Sequence, residues 1–244
     1  MRIVCQQAHY LPWLGYFDLF ARSDAFVFLD TVQWIKQGRQ HRTRIMGKNG
    51  SPAWLSIPIL SAEHRSKHLK DMRIDPSQDW ARRHWASVQA AYGKAPLFRE
   101  QIEPILRPYY EKAAGAKFLL EATEESLWLF WEPLALGSEL HWSSDMKERE
   151  GPNERILSLC EALGANEYYS SLGSTRYIDL SVFRAAGVRV RWQHFKALFP
   201  DDPRRPLDLS ILDWAAHLPF SDLRAMLKTG EAKVEEPNYA SLEL

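Results

Sequence analysis

Two stretches of this sequence hold side chains suited to chemistry. The first, residues 6–17, reads Gln6-Gln7-Ala8-His9-Tyr10-Leu11-Pro12-Trp13-Leu14-Gly15-Tyr16-Phe17. An imidazole titrates near neutral pH, which makes His9 a candidate general base. The second stretch opens at Asp30, positioned to orient His9 or to bind a sugar or ribose hydroxyl. Behind it come Gln33, Lys36, Arg39, His41, Arg42, Arg44 and Lys48, with no acid before Glu63. Unbalanced cations favour phosphate, pyrophosphate or carboxylate, and arginine offers such groups a planar fork. Lys36, Arg39, Arg42 and Arg44 are therefore expected to hold an anion, with Gln7, Tyr10 and Gln33 beside it. The plain alternative is a solvated surface loop.

A third polar stretch, residues 170–177, supplies Ser170, Ser171, Arg176 and Tyr177. These suit an anion or sugar hydroxyls, or simply a surface turn. His84 either faces the ligand or holds its helix on the sheet. His64 and His68 stand four apart, a spacing that binds metal on a helix, but no third ligand accompanies them and no metal site is expected. Cys5, beside His9, is either a nucleophile or a reduced core thiol. Nothing in the sequence names a cofactor.

The elements that must position these residues can be read from periodicity. Residues 1–5 form a short apolar run and 13–22 an amphipathic one. Residues 25–29 are continuously apolar, as in a strand buried on both faces of a parallel sheet. Strand, helix, strand in about 30 residues is a βαβ unit. In such sheets ligands gather at the carboxyl ends of the strands, where Gln6, His9 and Asp30 all fall. Residues 31–50 read as a charged loop closed by the turn Gly47-Lys48-Asn49-Gly50, without P-loop spacing. Residues 53–60 read as an edge strand because of Pro58. Within residues 77–136, the segments 79–92, 97–111 and 116–131 have helical periodicity, and Lys94-Ala95-Pro96 breaks the first from the second. The expected architecture is α/β: a mainly parallel Rossmann-like sheet domain, residues 1–76 and 137–244, with a helical insertion at 77–136. Residues after Thr229 read as a frayed polar tail.

Composition narrows the function. Lysine plus arginine and aspartate plus glutamate number 31 each, so no global charge favours nucleic acid or a membrane. Cys5 and Cys160 are far apart in apolar surroundings, no signal peptide is evident, and no apolar run approaches the roughly 20 residues that span a bilayer. A cytoplasmic protein with a small-molecule substrate bearing phosphate or carboxylate is expected. A charged tRNA donor is the one nucleic acid partner left open, and the oligomeric state is open too.

The segment QQAHYLPWLGYFDLFARSDAFVFLDTVQ resembles the opening signature of the WbqC-like family. The likeness continues through QHRTRI (40–45), AWLSIPI (53–59), WARRHWASVQAAYGKAPLF (80–98) and EYYSSLGSTRYID (167–179). Departures are Ala8, where the family usually has proline, and residues 195–209, which lack its Y-x-Q element. The resemblance implies a small-molecule transferase. It would move an acyl or aminoacyl group onto an amino-sugar nucleotide or related metabolite, in surface polysaccharide or secondary-product biosynthesis. The alternatives are a non-catalytic ligand-binding or scaffold protein of the same pathway, or a nucleotidyltransferase-like enzyme. A fainter likeness is to the nucleotidyltransferase and pantothenate-synthetase-like fold. There Trp13-Leu14-Gly15-Tyr16 is similar to the H-x-G-H turn, with aromatics in place of both histidines.

Overall fold

The computed structural model describes residues 1–60, 67–195, 206, 208–229 and 233–235. In chain order the elements begin with β1 (Arg2–Gln6), α1 (Leu14–Ala21), β2 (Ala25–Phe28), β3 (Arg42–Met46) and β4 (Pro52–Ser56). Helices α2 (Trp80–Tyr92), α3 (Glu103–Ala113) and α4 (Leu119–Trp131) follow, α3 being entered through a π-type turn, Phe98–Ile102. The chain then runs through β5 (Glu139–Trp142), α5 (Pro152–Ala162), β6 (Glu167–Ser171), α6 (Leu180–Ala185) and β7 (Arg189–His194). It closes with α7 (Ile211–Ala215), α8 (Phe220–Thr229) and β8 (Lys233–Glu235).

The main sheet has the order β5-β2-β1-β6-β7-β8. Its first five strands are parallel and β8 joins β7 antiparallel. The chain builds outward from β1 to β2 and β5, then returns to the other side of β1 for β6 and β7. This reversal defines a Rossmann-like α/β fold, and it places a crevice beyond the carboxyl ends of β1 and β6.

Strand periodicity explains why both faces are covered. Val4, Phe26, Phe28 and Tyr169 point into one core with Phe17 and Phe20 of α1. Ile3, Cys5, Ala25, Val27 and Tyr168 point into the other, against Leu159 of α5 and Phe183 of α6. The first core continues without a break into Val88, Leu106 and Leu127 of α2, α3 and α4. No helix of the described residues is long and apolar enough to cross a membrane.

Three local expectations change. The charged segment 31–50 contains strand β3, whose outward Arg42 and Arg44 alternate with buried Thr43 and Ile45. Among the described residues the expected edge strand 53–60 is β4, Pro52–Ser56, which pairs with β3 in a two-stranded hairpin separate from the main sheet. Within the tail expected to fray, residues 233–235 form β8. His64 lies outside the described residues.

Candidate functional site

The turn after β1 is held by backbone and side-chain bonds from distant segments. Tyr10 N–H donates to Arg39 O at 3.0 Å, and Gln40 Nε2 donates to Gln7 Oε1. The Tyr16 hydroxyl donates to Gln7 O at 2.8 Å. Leu11 has a left-handed backbone, φ 40°, which a branched side chain adopts only under constraint. The constraint is visible: Leu11 N–H donates to Ser126 Oγ at 3.0 Å, and Thr43 Oγ1 donates to Leu11 O at 2.8 Å. Gly15 is required because a Cβ there would fall 2.2 Å from the Trp13 indole.

Around this turn three side-chain atoms are buried and take no hydrogen bond among the described residues: His9 Nδ1, Gln40 Oε1 and Arg42 Nε. Gln40 and His9 flank the Tyr10–Arg39 backbone bond, and Arg42 follows two residues after Gln40. The His9 ring lies 4.7 Å from that of Tyr16. Burial, reinforced by the Arg39 charge, pushes the His9 imidazole down to about 3. The expectation of a histidine titrating near neutrality is therefore corrected. At pH 7 His9 is neutral, with low proton affinity.

The arginines fan over one indole. The Arg42, Arg39 and Arg44 guanidinium carbons lie 4.1, 4.9 and 5.6 Å from the Trp54 ring centroid. Two of them already hold an internal anion. Arg39 donates to the backbone carbonyl of Asp208 at 2.9 Å and to its carboxylate, and Arg44 donates to both carboxylate oxygens at 2.8 and 3.0 Å. Burial, then the neighbouring Arg39, lowers the pKa of Arg42 from its usual value. Arg42 and Lys36 line a groove of about 440 Å³ with Trp34, His41 and Ser56, and no carboxylate lines it among the described residues. Gln33 is exposed and bridges to His68 outside this groove.

Other expected site residues are placed differently. Asp30, 5% exposed, accepts from Ser143 Oγ at 2.8 Å and from Ser144 N–H at 2.9 Å. Thr31 Oγ1, 2.8 Å from Ser143 Oγ, donates to Glu148, which pairs with Arg155 at 3.0 Å. No described bond links Asp30 to His9, so Asp30 does not orient it. Tyr10 and His84 lie in the interior. The Tyr10 hydroxyl bonds to His84 Nδ1 at 2.9 Å and to the Tyr110 hydroxyl at 2.7 Å, which fixes α2 and α3 to the β1 turn. Of the two roles open to His84, holding its helix is the one this geometry fits. Burial lowers the His84 pKa to about 4.

At the β6 end, Ser170 is buried and accepts from the Tyr168 hydroxyl at 3.0 Å. Ser171 O accepts from Ser174 Oγ at 2.9 Å, while Arg176 and Tyr177 are exposed. Ser171 follows the same crevice edge as Gln7, but nothing described joins it to the arginine fan. Cys5 faces the second core. Burial, with Cys160 and Glu148 nearby, pushes its thiol well up and leaves no ready thiolate. Gln40 and Trp54 are the residues sequence reasoning passed over as ligand groups, though both sit in stretches quoted for the family likeness.

A doubly wound α/β sheet with a tightly held polar turn beyond its central strand is the class that fold and site define. Within it, residues 7–224 match the WbqC-like protein family, and the chain belongs to that family. A relative from Mycobacterium tuberculosis (strain ATCC 25618 / H37Rv), described as uncharacterized protein Rv1507c, is 30% identical over 191 residues, 78% of this chain and 81% of its own. No solved structure matches significantly.

Proposed function

We propose that this protein is a small-molecule transferase whose phosphate- or carboxylate-bearing substrate binds at Arg42 and Lys36. The reaction in this reading is acyl or aminoacyl transfer onto an amino-sugar nucleotide or related metabolite. The observation that carries the anion is Arg42 itself: a guanidinium on an indole face, its Nε–H without an acceptor among the described residues, in a groove that no described carboxylate lines. Arginine left in that state is suited to a bidentate anion. Adenylate chemistry of the nucleotidyltransferase kind is not favoured, because Tyr16 is buried with its hydroxyl on Gln7 O, and Trp13 packs over Gly15 and against Phe195.

A second reading, a non-catalytic ligand-binding protein, is favoured by two observations: His9 has a depressed pKa, and among the described residues no carboxylate bonds to its buried Nδ1. Calorimetry with sugar nucleotides and ATP tests the shared anion site. Arg42→Ala is expected to weaken binding by about 1.5–3 kcal/mol, the scale of a charged hydrogen bond. Equal affinity in both proteins removes Arg42 from the site. Mass spectrometry of acceptor incubated with acyl and aminoacyl donors separates the two readings. A mass gain supports the transferase, and an unchanged acceptor that nevertheless binds supports the binding protein.

A further inference from the structure

His9 and Gln40 are left over once the anion has been given to Arg42. Gln40 is 1% exposed, and one end of its amide is taken by Gln7 while the other has no described partner. An unpaired buried amide is costly unless something arriving later completes it. Thr123 Oγ1 donates to Gln40 O at 3.0 Å, so the residue is fixed by its backbone and its side chain cannot swing out to water without breaking the Gln7 bond. A Cβ at position 38 would fall 1.9 Å from Gln40 Oε1, so Gly38 lets this amide lie where it does. His9, two residues beyond Gln7, offers a buried Nδ1 that is likewise unpaired.

We propose that His9 and Gln40 form a subsite for an uncharged polar group, a hydroxyl or an amide, carried on the same substrate as the anion at Arg42. This rests on the anion reading above and adds the chemistry of the neighbouring group. A hydroxyl or amide both donates and accepts, so it can complete an imidazole nitrogen and a carboxamide together. An ammonium is disfavoured there, because the two atoms are buried and the Arg39 charge acts on His9.

Calorimetry on the wild-type protein with four phosphates tests this: inorganic phosphate, glucose 1-phosphate, glucosamine 1-phosphate and N-acetylglucosamine 1-phosphate. The hydroxyl and amide sugars are expected to bind about tenfold more tightly than inorganic phosphate, the scale for satisfying a buried polar group. The ammonium sugar is expected to bind more weakly than its N-acetyl counterpart. In His9→Leu and Gln40→Leu the sugar advantage should shrink, while inorganic phosphate binds as before. Gly38→Ala, whose Cβ would press directly on the Gln40 amide, should act in the same direction. Phosphate binding with no gain from any sugar overturns the subsite and leaves the anion reading standing. Failure of every phosphate to bind overturns both. A preference for the ammonium sugar refutes the uncharged group.

Discussion

Asp30 and Arg42 look alike in sequence, each a charged residue at the border of a strand in one polar segment, yet they have opposite fates. The Asp30 carboxylate is closed off by Ser143 Oγ and Ser144 N–H, inside a cluster that also ties down Thr31, Glu148 and Arg155. It joins the end of β2 to the turn after β5. Arg42 keeps an unpaired Nε–H and faces an open groove. The difference teaches that charge at a strand end does not mark a site by itself. What marks it is charge that the fold leaves uncompleted.

The largest effect should come from the closed side. Asp30→Ala removes a carboxylate that accepts from the buried Ser143 hydroxyl and the part-buried Ser144 N–H, and is expected to cost about 3–5 kcal/mol of stability. Urea unfolding measures this, with phosphate affinity nearly unchanged. A large loss of affinity in a still-folded protein would return Asp30 to the site and erase the contrast.

Next comes acid sensitivity. His84 has a native value of about 4 against an ordinary 6.5, so between those values the unfolded chain takes a proton that the native state refuses. Stability therefore falls as pH drops through that window, by up to about 3 kcal/mol from this group. His9 acts in the same direction down to about 3. His84→Gln should flatten the slope of unfolding free energy against pH between 6.5 and 4. An unchanged slope would mean the loss arises elsewhere.

The open side should show the converse pattern. Arg42→Ala is expected to shift stability by no more than about 0.5 kcal/mol while weakening phosphate by about 1.5–3 kcal/mol. Comparable losses of stability and affinity would make Arg42 a structural residue like Asp30. The smallest effect belongs to Asp208. Its side chain is 38% exposed, so its bridges to Arg39 and Arg44 should be worth less than about 1 kcal/mol. Asp208→Asn should raise phosphate affinity about two- to threefold by freeing positive charge. A fall in affinity would show that Asp208 instead holds the arginines in their binding posture.

Much of the sheet was legible because burial leaves a local trace. Residues 1–5 and 25–29 are apolar on successive positions, and that pattern has few solutions other than strands covered on both faces. β3 was also legible in principle: Arg42, Thr43, Arg44 and Ile45 alternate outward and inward, but the density of charge masks the period. The site was less legible because its decisive facts are pairings across long separations. Asp208 reaches Arg39 and Arg44 over 169 and 164 residues, and Tyr10 reaches Tyr110 over 100. No local pattern announces that two of three arginines are already occupied. Gln40 leaves no signal in periodicity at all, since an amide becomes informative only when its partners can be counted.

The position of β1 has a consequence for how the molecule is made. The first strand of this sequence lies in the middle of the main sheet. Its edge toward β2 can pair at once, but its other edge waits for β6, and Arg2 meets Glu167 only across 165 residues. A nascent chain that has formed β1, β2 and β5 therefore carries an unpaired apolar edge until β6 has been made. Such an edge is open to pairing with another chain, and long-range parallel pairing is slow to close. Truncations ending before β6 should aggregate during synthesis, and the full chain should gain most from slower growth or chaperones during that interval.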